Sequence, residues 1–186
     1  ASNERIPLKA HMRMVFEIRD LKYATPATVS RAGIIFISTD GPHPQWKNLV
    51  ASWVQTRDDE LYTDENKDLL QKLFRDYVGE TLKFMMKNIK SCVPIEDVTL
   101  VTGLLRMLES VMTTELLIDP VKVHTTFVFC AIWAFGSMLT TDAKGVDHAK
   151  TFSDWFRAEF KTIKMGSRGT VFSYWLDPSS NELDEW

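Results

Sequence analysis

The sequence predicts a short α/β region followed by a larger, mainly α-helical region. Two apolar runs near the start, 14–18 and 34–37, are typical of strands, and a Gly-Pro-His-Pro break follows them at 41–44. Beyond the break, apolar residues recur every three or four positions, as they do on the buried face of amphipathic helices. The chain has 186 residues and is 45% hydrophobic, which is enough for a sizeable core.

The first region combines a strand, a short helix and a second strand. Thr25 can cap a helix that has Pro26 in its first turn and ends at Gly33. The continuous apolar run that follows, Ile34–Ile37, is typical of a buried strand in a parallel sheet. Two strands cannot form a stable parallel sheet by themselves, so we expect the rest of that sheet to lie outside this sequence.

The second region is predicted to be a series of helices with a strand near its end. Its apolar window, 125–139, is shorter than the roughly 20 residues that a bilayer requires, so we expect a buried helix there and no membrane partner. Tryptophans spaced along these elements are expected in the core. The predicted elements are helices over 46–54, from 63, from 94, from 120 and over 145–163, a strand over 170–176, and a polar tail over 177–186.

Composition narrows the classes of partner. The net charge is −3 with both signs interspersed, so no basic field favours nucleic acid or an anionic membrane. Cys92 and Cys130 are far apart, and the four histidines have no second candidate ligand at metal-site spacing, so we expect no metal site. There is no apolar leader and no Asn-x-Ser/Thr site, and we expect reduced thiols in the cytoplasm.

One stretch carries a strong family signature. The run Tyr-Ala-Thr-Pro-Ala-Thr-Val-Ser-Arg-Ala-Gly-Ile-Ile-Phe-Ile at 23–37 resembles the second AAA+ module of a dynein heavy chain, of the axonemal type. The similarity covers nearly the whole chain. Its other segments are 3–7, 12–18, 129–136 and 169–172.

The resemblance implies an organisation and a parent protein. Residues 1–42 resemble the end of an AAA+ α/β wedge subdomain, residues 43–140 a helical lid, and residues 141–186 the lid extension leading to the third module. The parent would be a minus-end-directed microtubule motor of the ciliary or flagellar axoneme, in the cytoplasmic cytoskeleton. Its implied partners are the neighbouring AAA+ modules of the same chain, microtubules, and dynein intermediate and light chains.

The same resemblance implies a P-loop NTPase that uses ATP or ADP with Mg²⁺ in the parent ring. A hydrolytic module needs a Gly-x-x-x-x-Gly-Lys-Ser/Thr loop, and this sequence contains none. We therefore expect the segment alone to bind no nucleotide and to be inactive, although the parent is an ATPase.

Arg31 is the first candidate site residue. In the resemblance it matches an arginine finger that acts in trans on the nucleotide of the first module. A guanidinium is permanently charged and can fork onto γ-phosphate oxygens in the transition state. The alternative is a structural arginine that neutralises a helix end or pairs with a carboxylate.

Asp20 and Arg106 are the candidate residues for this module's own nucleotide. Asp20 matches a polar sensor position, although an acid near the γ-phosphate puts hydrolysis in doubt, and it could simply be a surface turn residue. Arg106 matches a second sensor arginine of the lid. It could instead reach solvent or pair with Glu109 or Asp97.

A different class of function stays open. The chain could be a non-enzymatic helical interaction or scaffold module whose strands near the start and end pair with a partner protein, with Arg31 purely structural.

Overall fold

Two units make up the chain in its computed structural model, which describes residues 7, 9–37, 44–57, 60–91 and 93–186. They are Ala1–Ser38 and Thr39–Trp186. Three sequence features fall outside the described residues, namely the stretch 3–6, the break at 41–43 and Cys92.

The first unit contains one short helix, α1, over Pro26–Val29. The hydroxyl of Thr25 accepts a hydrogen bond from the backbone N–H of Thr28 at 3.2 Å, so the predicted cap is confirmed. The helix ends at Val29, with Ser30 as its C-cap, before the predicted stop at Gly33. α1 is therefore a single turn that presents no buried face.

The two strands predicted in this unit are not formed within the described residues. Residues 14–18 and 34–37 have irregular backbone and exposed side chains, with Val15 94%, Ile35 89% and Phe36 85% exposed. An apolar strand needs a hydrogen-bonded neighbour and a covering layer, and the described part of this unit supplies neither. The prediction of formed strands is wrong within the described residues, so the part of an α/β sheet expected here is not formed.

The second unit is built mainly of helices, and their buried apolar side chains form one core cluster. Its elements are α2 Gln45–Gln55, α3 Asp64–Leu73, a π-helical turn Phe74–Val78, α4 Gly79–Asn88, α5 Asp97–Val111, α6 Thr114–Leu117, α7 Pro120–Gly136, α8 His148–Glu159, a 3₁₀ turn Val171–Ser173, β1 Tyr174–Leu176 and β2 Leu183–Glu185.

Side-chain caps fix where several of these helices begin. Thr63 accepts from the N–H of Asn66 at 3.3 Å at the start of α3. Asp119 accepts from Val121 at 2.9 Å at the start of α7, whose first residue is Pro120. These two predicted starts are confirmed, because an acceptor just before a helix satisfies amide groups that have no partner within it.

α5 packs most extensively on α7, and it also packs on α2. Phe127 of α7 is fully buried and meets Phe74 edge to face, with ring centroids 5.0 Å apart. Near the end of α7, a Cβ added to Gly136 would lie 2.3 Å from ring atoms of Phe172. Glycine therefore allows the 3₁₀ turn to approach α7 closely. No helix in the described ranges is long and apolar enough to cross a bilayer.

A small antiparallel hairpin closes the second unit. Trp175 lies opposite Asp184, so the predicted strand is confirmed as part of a hairpin, but it is shorter than expected. Thr170 and Ser173 form a capping box around the 3₁₀ turn Val171–Ser173, which leads into β1. Asn181 supplies the hairpin's positive φ of 59° and donates from Nδ2 to the carbonyl of Lys122 at 3.1 Å. That bond ties the hairpin to α7.

Candidate functional site

Arg31 lies just beyond the end of α1. Its backbone N–H donates to the carbonyl of Thr28 at 3.3 Å, and its side chain is exposed. Within the described residues no carboxylate or carbonyl engages its guanidinium. The pairing with a nearby carboxylate that a structural arginine would make is therefore not formed in the described ranges. The arginine-finger role stays a prediction.

Asp20 is an exposed turn residue of the same unit. Its Oδ1 accepts a hydrogen bond from the backbone N–H of Lys22 at 3.1 Å. Such a contact two residues along the chain is the usual Asx turn. The contact agrees with the surface-turn interpretation of Asp20, and the sensor role stays a prediction.

Arg106 lies in the second unit, on the exposed face of α5. Asp97, one alternative partner, uses Oδ1 to accept from the N–H of Val98 at 2.7 Å. Glu109, the other alternative partner, contacts Trp53 and Arg57. Among the described residues, Arg106 has no hydrogen-bonded or ion-pair partner for its guanidinium.

Glu109 is held by Trp53 of α2 and by Arg57, which lies just beyond the end of that helix. We call Trp53, Arg57 and Glu109 the Glu109 cluster. Oε1 of Glu109 accepts from Nε1 of Trp53 at 2.8 Å and lies 3.1 Å from Nη1 of Arg57. The Arg57 guanidinium also sits 4.5 Å from the centroid of the Trp53 ring, and its Nε donates to the Trp53 carbonyl at 3.1 Å. Arg57 is therefore fixed by three separate contacts.

The charges of Arg57 and Glu109 affect the pKa of the nearby Tyr62. Burial raises the pKa of the Tyr62 phenol, the positive charge of Arg57 opposes that rise, and the negative charge of Glu109 adds to it. Sequence reasoning missed the cluster because Trp53 and Glu109 are 56 positions apart. Helical spacing predicts neighbours only within one turn or two.

The larger cleft in the second unit has a volume of about 1000 Å³. Its floor is apolar and includes Trp46, Phe74 and Leu82, while Lys47 and Glu96 bring opposite charges to its lining. Acidic and basic side chains both line it, so the cleft has no single charge preference. None of the three predicted site residues lines it.

A smaller cleft of about 540 Å³ lies beside the π-helical turn. Tyr77 of that turn and His124 of α7 share a hydrogen bond of 2.6 Å between the phenol oxygen and Nε2. Burial lowers the pKa of His124, and the charge of Lys72 lowers it further, which favours the neutral ring. Nothing in the helical periodicity had indicated the π turn.

Metal and thiol chemistry find no support in the described parts of the chain. No group of three or more His, Cys, Asp or Glu side chains there could hold a metal ion. Burial raises the pKa of the Cys130 thiol to about 12, which leaves it protonated and unreactive at neutral pH.

One comparison with known proteins matches most of the second unit, and the others match the whole chain. The family described as dynein heavy chain AAA lid domain matches residues 70–186. The chain is 40% identical over 189 residues to dynein axonemal heavy chain 9 of Homo sapiens and to the ciliary dynein beta chain of Tripneustes gratilla. It is 35% identical over 196 residues to the flagellar outer arm dynein alpha chain of Chlamydomonas reinhardtii. Each alignment covers 100% of this chain and 4% of the relative.

Proposed function

Because the chain belongs to the dynein heavy chain AAA lid domain family, we propose that it is a segment of the motor ring of an axonemal dynein heavy chain. In this proposal residues 1–42 end the wedge of the second AAA+ module, residues 43–140 are its lid, and residues 141–186 lead to the third module. The full-chain similarity to heavy chains named as axonemal, ciliary and flagellar carries the proposal, and supports a place in the axonemal cytoskeleton.

In this role the segment completes and couples nucleotide sites of the parent ring. The parent would hydrolyse ATP with Mg²⁺ and move along microtubules, with its intermediate and light chains as partners. Arg31 would act in trans on the first module's γ-phosphate. Asp20 and Arg106 would face the second module's own nucleotide. Arg31 and Arg106 are exposed and without a guanidinium partner among the described residues, as such roles require.

Replacing Arg31 with lysine in the full heavy chain tests the finger. Arg31→Lys keeps the charge but loses the planar fork that binds two oxygens at once. We expect microtubule-stimulated ATP turnover to fall tenfold or more, which corresponds to about 1.4 kcal/mol in the activation barrier. The matched control is Arg13→Lys, at another exposed arginine of the same unit.

The melting temperature separates a lost contact from a lost fold. An unchanged melt with collapsed turnover supports action in trans. If Arg31→Lys turns over ATP as fast as the Arg13→Lys control, Arg31 is structural and the segment is scaffold.

A further inference from the structure

Arg57 neutralises a carboxylate that would otherwise attract Arg106. We propose that Arg57 is a positioning residue: by pairing with Glu109, it leaves the Arg106 guanidinium uncommitted and able to reach a nucleotide phosphate. The inference rests on the proposed nucleotide role of Arg106. It adds Arg57, which lies just beyond the end of α2, to the residues proposed for that nucleotide, Asp20 and Arg106.

Arg106 is placed so that it can compete with Arg57 for the Glu109 carboxylate. They are three positions apart on α5, a spacing at which helical side chains of opposite charge meet. Both are exposed enough to move, since the Glu109 side chain is 43% exposed. Even so, Glu109 turns toward α2, and its Oε1 is shared by Trp53 and Arg57.

Arg57 is better placed than Arg106 to hold this carboxylate. Its side chain is only 22% exposed, and the Trp53 ring and carbonyl hold it through contacts that do not involve Glu109. A pre-ordered, partly desolvated partner loses less entropy and is screened less by solvent than a mobile surface arginine. Trp53 alone could still hold Oε1, but it would leave the negative charge uncompensated.

Two substitutions that break the same ion pair should have opposite consequences for nucleotide binding. Arg57→Gln leaves Glu109 charged, so the carboxylate is expected to recruit Arg106. Glu109→Gln removes the negative charge, so Arg106 stays uncommitted. A purely structural ion pair would make the two variants behave alike, because both lose the same contact between α2 and α5.

The test measures the Kd of Mg-ATP at the second module of the full heavy chain, at low ionic strength, with Arg106→Ala defining the affinity that Arg106 supplies. We expect Arg57→Gln to raise Kd about twofold, a size typical of helical ion pairs at this spacing. Arg57→Lys and Glu109→Gln should stay near the wild-type value. The double variant Arg57→Gln with Glu109→Gln should return to it, and high salt should erase the Arg57→Gln effect.

Three results would overturn the inference. A wild-type Kd for Arg57→Gln, or equal weakening by Arg57→Gln and Glu109→Gln, removes the competition while leaving the role of Arg106 intact. A wild-type Kd for Arg106→Ala removes the proposed nucleotide role itself, and the inference with it. Melting temperatures of both single variants are expected to fall together, which keeps the Kd contrast free of a folding effect.

Discussion

At the scale of single residues, the second unit depends on a few side chains with strict spatial requirements. Gly136 is one, because Phe172 occupies the space that any side chain there would need. Glu109 is another, because it receives both an indole N–H and a guanidinium. Neither requirement could be predicted from the sequence, since the contacting residues lie far apart along the chain. The motif run at 23–37, by contrast, was enough to single out Arg31.

Two glycine-to-alanine changes should alter stability in opposite directions. Gly136→Ala is expected to destabilise the protein by about 1–3 kcal/mol, because its Cβ would press into the Phe172 ring. Gly103→Ala, in the middle of α5, meets nothing within 4 Å and should stabilise it by about 0.5–1 kcal/mol. Urea titration of both variants measures the difference. Equal midpoints for the two would contradict the close approach of the 3₁₀ turn to α7.

At the scale of elements, sequence rules located helices well and their irregularities poorly. The caps at Thr63 and Asp119 are local signals, and the helices they predicted begin there. The amphipathic spacing of apolar residues continues through the π turn Phe74–Val78, so periodicity did not indicate the turn. Its Tyr77 reaches His124, and this tertiary contact accompanies the extra residue in the turn.

The burial of His124 and the nearby charge of Lys72 predict a pH dependence of folding, because both lower the pKa of His124. The folded-state pKa of His124 is lowered, so the unfolded chain binds a proton more readily in the window just below pH 6.5. Above pH 6.5, protonation of His124 should not reduce the free energy of unfolding. As the pH decreases from 6.5 toward the folded-state pKa, the free energy of unfolding should fall. One proton limits the slope to about 1.4 kcal/mol per pH unit.

Two variants isolate this contribution. His124→Gln should remove the dependence just below pH 6.5, and Lys72→Gln should narrow the pH range over which stability falls, because Lys72 helps to lower the pKa of His124. Denaturant unfolding at a series of pH values gives the slopes. If His124→Gln retains the full wild-type slope, another group is responsible.

At the scale of the whole molecule, the two units differ in how completely their described residues bury apolar side chains. The second unit has a continuous buried core, and its helical character was predictable from residue spacing. The first has its most apolar side chains exposed, because strand formation depends on neighbours that no local pattern supplies. The proposed boundary at residue 42 and the roles of the site residues are likewise matters of context and stay predictions.

Hydrogen exchange can test whether the runs at 14–18 and 34–37 become strands in the parent. In the 186-residue chain alone, their amides should exchange nearly as fast as in an unfolded peptide, because no ladder protects them. In the full heavy chain they should be strongly protected. Amides of α7, a helix with a buried core face in this structure, provide the internal reference. Fast exchange of both runs in the full heavy chain would contradict the proposed wedge.

The contact between Gly136 and Phe172 also has an evolutionary consequence. The two positions share one volume, so a larger residue can be accepted at the first only if a smaller one is already present at the second. Across related chains, the sizes of the residues at these positions should therefore vary inversely. The order of substitution also matters, because the ring must shrink before the helix can gain a side chain. Neutral drift at this pair must therefore pass through a state in which both positions carry small residues.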